Sequence, residues 1–267
     1  MKDSARGKRS VRESDRRTKD QVREFYEKQS AGKTADLEKW LNSGEARIPQ
    51  PRTYYYFEDR KIANALEMAR LPRGSKILEI GCNLGQMTFV LNQKGYSIVG
   101  TDISPGAIEK ARTRTQRYRL SDITFEVQDA ENIEGHPDGE FDAAFSFSTF
   151  RYLTDPEKAL RECFRLVRTG GCAVIDFPNK FCPWFSLLKP AVFVKKHIHD
   201  HLFTASQVRD LMRRAGFVNV EIRRFLFAYK ELPAALLPAL KAVDYIFERL
   251  PLIRKTAAII MAKGNKP

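Results

Sequence analysis

The stretch Lys76-Ile-Leu-Glu-Ile-Gly-Cys-Asn-Leu-Gly-Gln-Met-Thr88 decides how the rest of the chain is read. Ile77 to Ile80 are three aliphatics and one acid, the composition of a strand buried on both faces. Gly81 and Gly85 then open a tight turn, and Gln86 to Gln93 has the spacing of a helix closed by Gly95. Strand, glycine turn and helix N-terminus together aim backbone N–H groups at an anion. A dinucleotide fingerprint would need glycines at 81, 83 and 86, but Asn83 and Gln86 stand at the second and third. That disfavours a pyrophosphate ligand. Glu79 in the strand suits an ammonium group instead, and the helix start beyond it suits a carboxylate, so the pair fits an amino-acid zwitterion.

Further along, the pattern alternates strand and helix, the mark of a parallel sheet with right-handed crossovers. Strands are expected at 76–80, 97–101, 123–128, 141–146 and 172–177, and helices at 86–94, 105–116 and 156–167. Ser104-Pro105 reads as an N-cap followed by proline in the first turn. Arg168-Thr-Gly-Gly171 is expected to end a helix before the fifth strand. Thr204 caps a helix over 205–215, a strand follows at 217–223, and the chain ends on an apolar strand at 257–262.

Asp102, 21 residues after Gly81, ends the second strand, where an acid can bond both hydroxyls of a ribose. Asp129-Ala130 ends the third strand, placed to meet an adenine amino group. An amino acid, a ribose and an adenine in that order describe S-adenosylmethionine.

With these pieces in place, the chain resembles the class I S-adenosylmethionine-dependent methyltransferases, in their small-molecule, ubiquinone-biosynthesis-like O-methyltransferase branch. The matching segments are Leu78-Glu-Ile-Gly-Cys-Asn-Leu-Gly85, Val99-Gly-Thr-Asp-Ile-Ser-Pro105, Gln128-Asp-Ala-Glu131, Phe141-Asp142 through Leu153-Thr-Asp-Pro156, and 166–171. The resemblance implies an α/β, Rossmann-like, mostly parallel seven-stranded sheet with helices on both faces. It also implies Glu79, Gly81, Cys82, Asn83 and Gly85 around the methionine moiety, and Asp102 and Ile103 at the ribose and adenine. Asp129 and Ala130 fall at the adenine, and Ser146 and Phe147 near the sulfonium. The family's middle glycine is Asn83 here; Asn tolerates the left-handed conformation better than other side chains.

The acceptor is less legible. After the fourth strand, on Phe147-Ser-Thr-Phe-Arg-Tyr-Leu153, the family often carries a histidine, and Tyr152 stands in its place. Related quinone-biosynthesis enzymes carry acids on this segment that can hold a metal. Ser148 and Arg151 occupy those positions, so no metal is expected. His197, His199 and His201 alternate, which would put them on one face of an extended stretch. Tyr152, His199 and His201 are therefore the candidate catalytic residues. The apolar residues between Phe181 and Val194, and the helical spacing of Leu236, Leu240, Val243, Phe247 and Leu250, suggest a hydrophobic or ring-containing acceptor. With Lys241, Arg249, Arg254 and Lys255 beside it, the second segment has the make-up of an interfacial helix, hence an expectation of peripheral membrane contact.

Three divisions are expected: a disordered basic tail over 1–20, a helical cap over 21–70, and the methyltransferase domain over 71–267 with insertions at 179–202 (lid-like) and 226–256. Ser30-Ala-Gly-Lys-Thr34 imitates the end of a phosphate-binding loop, but Glu27 stands where the first glycine belongs and no apolar strand precedes it. Four scattered cysteines without zinc spacing, no apolar leader and no span of roughly 20 apolar residues point to a cytoplasmic chain with reduced thiols. The net charge of +13 allows an RNA methyltransferase as an alternative. No recognisable RNA-binding motif supports that reading, so nucleic acid is not an expected partner. A second alternative is a non-catalytic binding protein retaining the fold. Oligomeric state is not legible.

Overall fold

Strand β1 (Lys76–Ile80) lies inside a seven-stranded sheet of order β3-β2-β1-β4-β5-β7-β6. The computed structural model describes residues 15–28, 52–185, 201–227 and 233–267. The other strands are β2 (Ser97–Asp102), β3 (Ile123–Val127), β4 (Phe141–Ser146), β5 (Val167–Pro178), β6 (Val218–Phe225) and β7 (Ile259–Asn265). All neighbours are parallel except β7, which runs antiparallel to both β5 and β6. The described helices are α1 (15–28), α2 (Arg52–Ala69), α3 (Gln86–Gln93), α4 (Pro105–Arg117), α5 (Pro156–Leu166), α6 (Ala205–Arg214) and α7 (Leu237–Phe247).

Alternation along β1 divides the core. Leu78 and Ile80 face one layer, which holds Leu160 and Leu166 of α5 and Val208 and Met212 of α6. Ile77 faces the other, with Ile62 and Met68 of α2 and Leu91 of α3. Buried Phe141 and Phe145 of β4, Phe150 after it and Phe177 of β5 extend these layers, each contributing roughly 1.5–3 kcal/mol of burial.

The helices start where local chemistry starts them. The Ser104 hydroxyl accepts from Ala107 N, Asp155 accepts from Lys158 N, and Thr204 with Gln207 forms a complete capping box. At the other end of α5 the structure differs from expectation. The helix stops at Leu166, and the strand begins at Val167 rather than 172, with a shift of register against β4 between Phe141 and Ala143. The glycines sit inside this irregular start. A Cβ at Gly171 would come within 2.5 Å of the Asp142 carbonyl oxygen, so this approach of β5 to β4 requires glycine.

The N-terminal region also departs from expectation. Residues 15–20, placed in the disordered tail, belong to α1, because Lys19, Val22 and Tyr26 repeat at helical spacing and meet the domain. Residues 1–14, and the Leu37–Trp40–Leu41 part of the expected cap, lie outside the described residues. The order β2-β1-β4-β5 reverses direction between β1 and β4, which opens a crevice beyond their C-terminal ends.

Candidate active site

At the end of β1 the chain turns through two left-handed residues, Gly81 (φ 76°) and Asn83 (φ 50°). The N–H groups of Gly81 and Cys82 both donate to the Thr101 carbonyl, at 2.7 and 2.9 Å, so the turn is stapled to β2. A Cβ at Gly81 would lie 1.9 Å from Thr149 Oγ1, so only glycine lets the segment after β4 cross this close. Gly85, also left-handed, precedes α3 as its N-cap, and a Cβ there would strike Phe125.

Three acids stand at or near the ends of β1, β2 and β3. Glu79 is 2% exposed and accepts from the Thr88 hydroxyl at 2.6 Å. Burial raises its pKa to about 7, helped by Glu58 and Asp102 and opposed by the Thr88 hydrogen bond. Asp102 accepts from Asn83 N at 2.8 Å and Ser104 N at 2.9 Å. Burial raises its pKa too, and these backbone donors work against the rise. Asp129 accepts from Glu131 N at 2.9 Å and meets Lys19 of α1 at 2.6 Å.

These acids line one cavity of about 710 Å³. Of the residues singled out from sequence, Glu79, Gly81, Cys82, Asn83, Asp102, Ile103, Asp129, Ala130, Phe147 and Tyr152 line it. Gly85 and Ser146 do not: Gly85 shapes the helix start, and the buried Ser146 hydroxyl donates to the Ile80 carbonyl at 2.9 Å. His201 is exposed and is not in the lining; its N–H donates to the Arg151 carbonyl at 2.9 Å. His197 and His199 lie outside the described residues. The Tyr152 ring packs edge-on against Tyr26 of α1, centroids 5.6 Å apart, and the Arg151 guanidinium lies 5.4 Å from the centre of the Tyr152 ring and 5.3 Å from that of Phe185.

The far wall draws on the two segments whose sequence suggests an apolar acceptor, 181–194 and 236–250, and adds residues that the sequence did not single out. Phe57 of α2, Trp184, Phe185, Phe227 and Phe247 of α7 close an aromatic half of the cavity. Lys61 of α2 lies in that wall as well, 1% exposed and paired with Asp176 of β5. One signal for this pair was available: Asp176 interrupts the apolar run Ala173–Phe177 in a strand predicted to be buried, and a buried acid needs a cation. Among the described residues no group of three His, Cys, Asp or Glu side chains could hold a metal ion.

A family model described as a methyltransferase domain matches residues 78–175, from β1 into β5. An S-adenosyl-L-methionine-dependent Diels–Alderase of Talaromyces variabilis is 28% identical over 72% of this chain and 69% of its own length. A ubiquinone biosynthesis O-methyltransferase of Xanthomonas axonopodis is 26% identical over 60% of this chain and 70% of its own. By this domain and these relatives, the chain is an S-adenosylmethionine-dependent methyltransferase. The fold of the methyltransferase agrees with a solved phosphoethanolamine N-methyltransferase of Haemonchus contortus in complex with S-adenosyl-L-methionine. The TM-score is 0.66 at 17% identity, over 92% of this chain and 60% of that one. The methyltransferase uses S-adenosylmethionine and acts on a small molecule.

The cavity suits that cofactor on physical grounds. The buried Glu79 carboxyl, with a pKa near neutrality, needs a cation to be held as carboxylate, and the α-ammonium of a methionine moiety is one.

Proposed function

We propose that the methyltransferase O-methylates an apolar, ring-containing acceptor held in the aromatic half of its cavity. One observation carries this reading. The acids of β1–β3 and the aromatic residues of α2, Trp184, Phe185, Phe227 and α7 share a single cavity, and the segment after β4 meets both sets, Thr149 at Gly81 and Ser148 at Lys61. When bound, S-adenosylmethionine supplies an electrophilic methyl group on a sulfonium. Glu79 then receives the ammonium and the turn 81–85 faces the methionine moiety, with Cys82 and Asn83 in contact and Gly85 acting through the start of α3. Asp102 bonds the ribose hydroxyls beside Ile103, Asp129 and Ala130 meet the adenine, and Phe147 packs near the sulfonium while Ser146 supports it from below.

Tyr152 contacts the acceptor. The position of His201, exposed and outside the cavity lining, does not support a base there. The residues' main work is to hold two reactants in line, which alone can supply several kcal/mol of the barrier reduction.

The apolar acceptor is drawn from a membrane surface, where the enzyme sits peripherally. Supporting this, α7 and the turns on either side of it expose Leu236, Tyr245, Ile246, Leu250 and Leu252. Val243 and Phe247 of the same helix line the cavity, so the apolar surface and the cavity share one element.

Incubation with methyl-labelled cofactor and a panel of apolar phenols, carboxylic acids and amines tests this function. Label is expected in methyl ethers or esters. Label confined to amines would overturn O-methylation. A ring-closed, unlabelled product would instead favour chemistry like that named for the Talaromyces relative.

A further inference from the structure

The aromatic wall is broken by one charged assembly drawn from three elements. Lys61 Nζ of α2 lies 2.5 Å from Asp176 Oδ2 of β5 and donates to Ser148 Oγ at 2.5 Å. Ser148 N donates to Asp176 Oδ1 at 2.6 Å. Both charged side chains are 1% exposed, whereas Ser148 is exposed and lines the cavity with Lys61. The Lys61 ammonium also lies 5.0 Å from the centre of the Phe57 ring.

Two features of this cluster are costly. Desolvating an ion pair is expensive enough that an apolar replacement of equal volume is often as stable. Ser148 has a left-handed backbone (φ 61°), unfavourable for a side chain that is not glycine. The pair holds that conformation from both ends, clamping the Ser148 N–H and hydroxyl oxygen together. Because its oxygen already accepts from an ammonium, the Ser148 hydroxyl keeps its own proton for another acceptor, and the cavity it lines can supply one. The charge bonded directly to that hydroxyl is positive, which strengthens it as a donor and favours an anion opposite it. Glu58 and Arg151 are the other charged side chains lining the cavity near α2 and the segment after β4.

Building on the O-methylation reading above, we infer that Ser148 holds the reacting oxygen of the acceptor as an oxyanion, and that Lys61 and Asp176 are its positioning residues. The acceptor class is then an apolar molecule bearing a carboxylate or an acidic hydroxyl. A hydroxyl acceptor gives its proton to bulk water before transfer; a carboxylate has none to lose. The oxyanion takes the methyl carbon, its O–C bond forming as the donor's S–C bond breaks, and no side chain is needed as base.

The test uses a nitro-substituted naphthol, whose ionisation is visible by absorbance, bound to the full-length protein without turnover. Wild type is expected to lower the pKa of the bound probe by about one unit or more. Ser148→Ala should abolish the shift while cofactor binding and thermal stability are kept. The double variant Lys61→Met/Asp176→Leu, which leaves no lone buried charge, should do the same. In turnover, both variants should lose 10-fold or more in kcat/KM for oxygen acceptors (an estimate for one removed oxyanion donor). An unshifted probe in wild type, or one equally shifted in Ser148→Ala, overturns this inference while leaving O-methylation standing. Wild-type transfer to amines alone overturns both.

Discussion

Glu79 shows at the residue scale how burial sets a binding chemistry. Its carboxyl is held in a dry wall with a pKa near 7, so in the free protein the group is part protonated at neutral pH. An ammonium group placed beside it would favour the carboxylate, so binding S-adenosylmethionine should release a proton from Glu79. The sign follows: the binding form is the deprotonated one, and affinity should fall as pH drops from about 7.5 through about 6. Calorimetry in two buffers of different ionisation enthalpy measures that release directly. Glu79→Gln should bind at least about ten-fold more weakly and show no proton release; an unchanged proton count would refute this role. Asn83 belongs to the same scale. Its left-handed φ of 50° is the conformation that made Asn an acceptable replacement for glycine, and it was readable from residue type alone.

Among the elements, α1 is the one whose start, residues 15–20, composition misread. Its charged residues look like a solvated tail, yet Lys19 reaches Asp129 and lies 2.7 Å from Glu131. The Glu27 carboxylate accepts from the Ser104 hydroxyl at 2.8 Å and from Gly106 N at 3.0 Å. The helix thus docks by polar contacts on strand-end acids and on the start of α4, which a hydrophobicity count does not see. It also means that Lys19 occupies the acid assigned above to the adenine amino group. Lys19→Met should free Asp129 and tighten cofactor binding by about five-fold, the equivalent of ~1 kcal/mol. Weaker binding by titration calorimetry would show instead that the lysine supports the bound state.

Over the whole molecule, the cavity exists because the cap, the sheet and α7 are tied together. Asp244 of α7, fully buried, accepts from the Tyr56 hydroxyl at 2.8 Å and from Phe227 N at 2.6 Å. Arg60 of α2 grips both oxygens of Glu248, at 2.8 and 2.6 Å. The C-terminal half of α7 therefore turns acids inward and leaves Tyr245 and Ile246 outward, 61% and 52% exposed. Water does not favour that arrangement, whereas an anionic lipid surface near Lys241, Arg249, Arg254 and Lys255 would. The protein should co-sediment with anionic vesicles at low salt, and Ile246→Asp with Leu252→Asp should reduce the bound fraction several-fold. No sedimentation of wild type would remove the membrane from the proposal.

Sequence by itself determined the sheet, the turn at Gly81–Gly85 and the acids at or near three strand ends. These are local matters: strand and helix periods, glycine conformations and caps are dictated by near neighbours in the chain. Only the tertiary structure decided what faces those acids. Lys61, Ser148 and Asp176 are far apart in sequence and meet only because α2 packs on the sheet beside β5. The same packing put Tyr152 in the cavity wall and left His201 at the surface. Cofactor chemistry is written along consecutive strand ends and can be read in order; acceptor chemistry is assembled from elements whose only common property is where they pack.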